Sequence, residues 1–122
     1  MPMPSQFMSR HSATLLDIAR AAHLILDFVQ GTDRTAFRSD LKTQSAVLHQ
    51  LMVLGEAVRR LPRSFRQRHV EIPWALVAGM RDKLIHAYDQ VDLDEVWRTV
   101  EKDIPELLRL IEPLLPAKEY QA

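Results

Sequence analysis

The chain has no cysteine. That excludes a disulfide scaffold, a thiol nucleophile and a thiolate metal site. It has only three glycines, Gly31, Gly55 and Gly79, and no Asn-Gly or Asp-Gly pair, so the strongest hairpin signal is missing. A glycine-rich phosphate loop, a Gly-x-Ser-x-Gly elbow and a His-Glu-x-x-His pair are missing too. No apolar run approaches the ~20 residues that a spanning helix needs, so no membrane contact is expected. The first residues, Met1-Pro2-Met3-Pro4-Ser5-Gln6, carry neither a basic n-region nor an apolar h-region, and a cytoplasmic location follows as the expectation. Net charge is also lacking: 16 Lys and Arg balance 16 Asp and Glu. The basic excess common in nucleic-acid-binding domains is therefore absent. His11, His23, His49, His69 and His86 are scattered without ligand spacing, so neither a metal nor another cofactor is expected.

What is present reads as one helical domain. A chain of 122 residues is one domain's length and can bury roughly two-thirds of its extended surface. A hydrophobic content of 47% with 26% charged residues suits a folded rather than a disordered chain. The recurring period is helical. Leu15, Ile18, Ala22, Ile25 and Val29 form one stripe and predict a helix over 12–30, with Ser12 as N-cap and Gly31 as stop. A polar connection follows, with a short turn around Phe37. Val47, Leu48, Leu51, Met52, Gly55, Val58 and Arg59 make a second stripe that runs to Leu61-Pro62. Gly55 inside it costs ~1 kcal/mol against alanine, which points to close helix packing. Residues 62–69 suit a short helical turn. Ile72 precedes a proline and is extended. A third helix opens at Pro73 with the stripe Val77, Met80, Leu84 and Val91, flanked by Trp74, Arg81, Ile85 and Tyr88. Asp92 with Glu95 three places on is a capping-box pattern for the last helix. Its inner face is Val96, Trp97, Val100 and Ile104, and Pro105 should kink or restart it. The expected fold is all-α, an up-down bundle of four to five helices over 12–116. Residues 1–11 are expected as a flexible N-terminal segment and 117–122 as a frayed tail.

Three groups of residues could carry chemistry. The first is 81–88. On a helix turning about 100° per residue, Arg81 and Tyr88, seven apart, point nearly the same way, and Asp82 and His86, four apart, share another face. Asp82 is then placed to accept from a His86 ring nitrogen, fixing its tautomer and raising its pKa. On the residues alone the structural reading is the commoner one, with Arg81 as an ion-pair partner and His86 as a surface or capping residue. The second is Glu56, beside the second stripe and in reach of Arg81, where a partly buried salt bridge between helices is favoured over direct chemistry. The third is a basic patch, Arg59, Arg60, Arg63, Arg66 and Arg68. Arginine forks suit phosphate oxygens, and a solvated basic segment accounts for the patch as well.

These residues resemble a known family. Arg81-x-x-x-x-His86-x-Tyr88 is similar to the signature of the HepT family of HEPN-domain toxins. Leu54-Gly55-Glu56-Ala57, Ile72-Pro73-Trp74, Gly79-Met80-Arg81, Val91-Asp92, Val96-Trp97 and Asp103-Ile104-Pro105-Glu106-Leu107 occur in the same order and at similar spacing. The likeness covers roughly residues 15–110. It implies a HEPN-type bundle that forms a homodimer, with two Arg-x-x-x-x-His motifs facing each other across a cleft as a metal-independent ribonuclease site. It implies Arg81 and His86 as the catalytic pair, Asp82 as the polar residue after the arginine, and an RNA substrate. It also implies a partner, a MntA-like nucleotidyltransferase antitoxin that attaches AMP to Tyr88. Asp89 departs from the pattern, since many relatives place an aromatic there. Together with Asp82 it adds negative charge beside a site meant for phosphate.

The residue types fit that chemistry. RNA brings its own nucleophile, a histidine can take or give a proton near neutral pH, and an arginine can face the charge on a phosphorane. Two protomers supply two histidines, an acid and a base. Two other readings stand beside the ribonuclease. One is a non-catalytic HEPN nucleotide-binding module that docks a nucleotidyltransferase, and the other is a purely structural helical dimer. The complete motif favours the ribonuclease, and neutral net charge leans to the module.

Overall fold

The computed structural model describes residues 5–116, with side chains from His11 onward. Seven α-helical segments lie among them: α1 (Ser5–Phe28), α2 (Arg34–Ser39), α3 (Leu41–Arg60), α4 (Arg63–Gln67), α5 (Trp74–His86), α6 (Leu93–Arg98) and α7 (Ile104–Ile111). No strand occurs among the described residues. The all-α expectation holds, with α1, α3, α5 and the α6–α7 stretch as the principal helices. The expected tail 117–122 and residues 1–4 of the expected flexible segment 1–11 lie outside the described residues, while 5–11 are not a separate flexible segment but the first turns of α1.

The apolar stripes become the core. Ile18, Ala22 and Ile25 of α1, Val47, Leu51, Leu54 and Val58 of α3, and Val77 and Leu84 of α5 are buried together with Val96, Val100, Ile104 and Leu107. α3 packs between α1 and α5, and α7 packs on α1. α1 begins at Ser5, so Ser12 lies inside the helix and is not its N-cap. The predicted stop is real: Gly31 has φ +75°, a conformation that costs glycine little.

The connection 32–40 is a helix of its own. Asp33 caps α2 through Ala36 N–H, and the fully buried Phe37 anchors it. The Phe37 carbonyl accepts from Gln44 Nε2 at 2.8 Å, and its ring lies 5.2 Å from Trp97. Asp94 of α6 accepts from Arg38 at 2.5 Å and Arg34 at 3.3 Å. The first of these guanidinium bonds chiefly holds its carboxyl below the usual carboxylate range.

Asp92 caps α6 as predicted, accepting from Asp94 and Glu95 N–H. The last helix widens before Pro105 into one π-turn, Thr99–Asp103, and Ile104 N–H bonds back to the Thr99 carbonyl. Proline has no N–H to give and crowds the carbonyl four residues back, so the wider turn absorbs it and α7 restarts.

Gly55 is where α3 meets α5. A Cβ there would lie 2.2 Å from Arg81 Cβ and 3.3 Å from the Val77 carbonyl. Gly79, also helical, has nothing within 4 Å of such a Cβ. Opposite signs are therefore expected. Gly79→Ala should raise stability by about 0.5–1 kcal/mol through helix propensity. Gly55→Ala should lower it, because overpacking of about 1–3 kcal/mol exceeds that gain. Thermal denaturation of both variants checks this, and a Gly55→Ala protein that melts higher than the parent would refute the packing role.

Candidate active site

The site residues hang on α5, and α5 is shorter than its pattern suggests. Pro73 stands at its N-cap position and Trp74 is its first residue, tied back to the preceding loop by the indole Nε1, which donates to the His69 carbonyl at 3.0 Å. It ends at His86. Ala87 has φ −146° and ψ 51°, and Tyr88–Gln90 form a 3-10 turn. Nothing in Ala-Tyr-Asp-Gln forbids a helix. The break is tertiary: within six residues the chain must pack Val91 on the core and present Asp92 as the cap of α6. The expected stacking of Tyr88 above Arg81 on one helix face is thus corrected, since Tyr88 lies beyond the helix with 47% of its surface exposed.

Arg81 faces α3. Its Nη2 sits 2.7 Å from Glu56 Oε2 and its Nη1 donates to Asp82 Oδ1 at 3.1 Å. The Glu56 pair is the predicted interhelical bridge, with the Arg81 side chain 24% exposed and that of Glu56 52%. Glycine at position 55 permits this approach, because the stem of Arg81 occupies the space a Cβ would need.

Asp82 does not serve His86 as expected. Its Oδ1 takes Arg81, and its Oδ2 accepts from Arg59 Nη2 at 2.5 Å. Arg59–Asp82–Arg81–Glu56 forms a line of alternating charge. The Arg81 hydrogen bond chiefly holds the Asp82 carboxyl below the ordinary range, and Arg59 adds to it. A depressed folded-state value contributes stability above the unfolded value, and that contribution is lost as pH falls through the folded one. Acidification therefore loosens this line. Sequence inspection misses the Arg59–Asp82 partnership, since the two are 23 positions apart and on different helices.

His86 is exposed at the end of α5. It lies five positions on from Arg81, which turns it about 140° around the axis and moves it about 7.5 Å along. Arg81 therefore points to the α3 interface while His86 faces another direction.

The basic patch divides. Arg59 is engaged by Asp82, and Arg60 donates to Asp17 Oδ2 at 3.0 Å. Arg68 lies over the Phe65 ring, 5.9 Å from its centroid. Arg63 and Arg66 line a groove beside α4 and have no carboxylate partner among the described residues. No group of three or more metal-ligating side chains is gathered among the described residues, and none of their helices is long and apolar enough to cross a membrane.

Comparison with known proteins gives a consistent result. The family model described as "Ribonuclease HepT-like" matches residues 18–114. A Thermococcus cleftensis protein named "Probable ribonuclease HepT" is 46% identical over 104 residues, covering 85% of this chain and 94% of that protein. A candidate RNase of Caldanaerobacter subterraneus subsp. tengcongensis is 38% identical over 98 residues, with 80% and 88% coverage. A candidate RNase of Methanocaldococcus jannaschii is 38% identical over 103 residues, with 84% and 89% coverage. No solved structure gives a significant match.

Proposed function

The chain belongs to the HepT-like ribonuclease family, and on that premise we propose that it is a metal-independent endoribonuclease that works as a homodimer. The observation that carries this reading is the placement of Arg81 and His86. One helix carries a guanidinium held by Glu56 and Asp82 and, about 140° away, an exposed imidazole. A single bundle does not turn both toward one phosphate. A second copy supplies the missing half: two arginines to face one phosphate, and two histidines for the two proton transfers.

In the proposed step the RNA 2′-oxygen bonds to phosphorus while the bond from phosphorus to the 5′-oxygen breaks. The 2′-hydroxyl proton passes to His86 of one protomer. The 5′-oxygen leaves with a proton from His86 of the second protomer. Both Arg81 guanidinium groups face the charge that builds on the phosphorane oxygens. The products are a 2′,3′-cyclic phosphate and a 5′-hydroxyl. Glu56 and Asp82 are positioning residues that act through Arg81.

The proposed cellular role is that of a cytoplasmic toxin held in check by a MntA-like nucleotidyltransferase antitoxin, with Tyr88 as the residue that receives AMP. Tyr88 is exposed and two positions past His86, which supports an accessible hydroxyl near the site.

The double pairing of Arg81 favours a second reading, a non-catalytic HEPN module that docks the nucleotidyltransferase. Cleavage decides between them. Incubated with RNA in excess chelator, the protein is expected to cut at an unchanged rate and leave 2′,3′-cyclic phosphate ends. Activity lost on chelation, or 5′-phosphate products, would overturn the mechanism. No cleavage under any condition would favour the docking module.

A further inference from the structure

We infer that the groove between α4 and the start of α5 is an accessory site for the nucleic-acid strand, where Arg63 and Arg66 hold one phosphate and the apolar surface of Val70 and Pro73, over the buried Trp74, receives a neighbouring base. This rests on the ribonuclease reading and extends it to how the strand is held away from the reacting phosphate.

The groove encloses about 460 Å³, within the range of about 300–1,000 Å³ typical of ligand sites. Its two cations are unmatched. Arg59 and Arg60 are drawn off to Asp82 and Asp17, while Arg63 and Arg66 have no carboxylate partner among the described residues. The Nε of Arg66 is buried without an acceptor among those residues, a costly state for a charged donor group. The opposite wall is apolar and set in place. The Trp74 indole, 6% exposed and fixed by its bond to the His69 carbonyl, backs this wall from within, and Val70, an aliphatic side chain at the rim, is 77% exposed.

Two unpaired guanidinium groups beside an apolar wall suit a ligand with an anionic head and an apolar body. A bare anion leaves the wall unused, and an apolar molecule leaves the cations unanswered. A nucleotide uses both, since arginine forks match phosphate oxygens and an apolar or aromatic surface takes a base with little regard to its identity. The position suits a strand rather than a free nucleotide. The groove opens at the start of α5 and Arg81 lies seven residues on from Trp74, about 10 Å along the axis, a span that suits a strand.

The test uses the fluorescence of Trp74, 6% exposed at the base of the groove, with Trp97, 9% exposed and packed on Phe37 outside the groove, as a constant background. Full-length protein is titrated with a deoxyribo-oligonucleotide, which lacks the 2′-hydroxyl and cannot be cut, and separately with 5′-AMP and adenosine. The oligonucleotide is expected to quench with saturation. AMP should bind at least about tenfold more weakly and adenosine not measurably, as fits a site whose affinity comes from phosphates. The Arg63→Gln/Arg66→Gln variant should bind the oligonucleotide at least about tenfold more weakly, with the slope of log K against log salt shallower by about 0.7 per lost phosphate contact. Should that variant misfold by circular dichroism, Arg63→Gln alone, at an exposed position, is expected to give a several-fold loss. Unchanged affinity in a folded variant overturns the site. AMP binding as tightly as the oligonucleotide overturns the strand in favour of a free nucleotide. Polyglutamate competing as well as the oligonucleotide overturns it in favour of an acidic polypeptide. RNA cleavage followed in parallel separates the two proposals. Cleavage with no arginine-dependent binding sinks the groove alone, and arginine-dependent binding without cleavage sinks the ribonuclease reading while upholding the groove.

Discussion

His86→Ala is expected to lower RNA cleavage by about 10²–10⁴-fold, the usual worth of a positioned general acid or base. In the proposed homodimer both copies lose the same imidazole, and acid and base would disappear together, so the upper part of that range is expected. His86 is exposed at the end of α5 and belongs to no part of the core, so melting temperature should hardly move. Arg81→Ala is expected to cost about 10²–10³-fold by removing the charge that faces the phosphorane. It also breaks the bridges to Glu56 and Asp82. Those carboxylates are 52% and 39% exposed, so water replaces the lost partner and the stability cost of the lost bridges is small. Single-turnover cleavage together with thermal melting checks both variants. Full cleavage by His86→Ala would remove the imidazole from the mechanism. A monomer by light scattering at micromolar concentration would remove the second histidine and with it the two-proton scheme.

Adenylylation of Tyr88 is expected to reduce cleavage to background. Tyr88 Oη attacks the α-phosphate of ATP, the new oxygen–phosphorus bond replaces the one to pyrophosphate, and the hydroxyl proton is released. The product carries a phosphodiester anion and an adenine two residues from His86. The anion competes with RNA phosphate for the Arg81 groups, by the same electrostatics through which phosphorylation switches sites. The adenine excludes the strand sterically. Because the helix ends at His86, the adduct stands at the histidine end of the site and not directly above Arg81. Tyr88→Phe should keep cleavage and escape silencing. Mass spectrometry after co-expression with a nucleotidyltransferase, paired with a cleavage assay, decides the matter. AMP on other residues only, or an adducted protein that cuts at full rate, would refute the switch.

The sequence by itself determined what depends on neighbours along the chain. Helical period put Ile18, Ile25, Leu51, Val77 and Val100 in the core. Asp92 capped α6, Gly31 ended the first helical segment in a left-handed turn, and Pro105 forced a restart, each through backbone chemistry within four or five residues. The Arg81–Glu56 bridge was also legible, because a glycine beside the glutamate in an otherwise helical stripe signals that another helix comes close. Only the tertiary structure decided the rest. Residues 87–90 have no local reason to leave the helix, and it is the docking of Val91 and the capping of α6 that break α5 after His86 and carry Tyr88 off the Arg81 face. Asp82 had two possible partners, His86 one turn away and an arginine 23 positions back. The packing of α3 on α5 brought Arg59 within 2.5 Å, where its guanidinium makes a charge-assisted bond to the carboxylate. The same packing divided the five-arginine patch. Which cations are neutralised, and which are left facing an open groove, depends on distances between helices that no local spacing encodes.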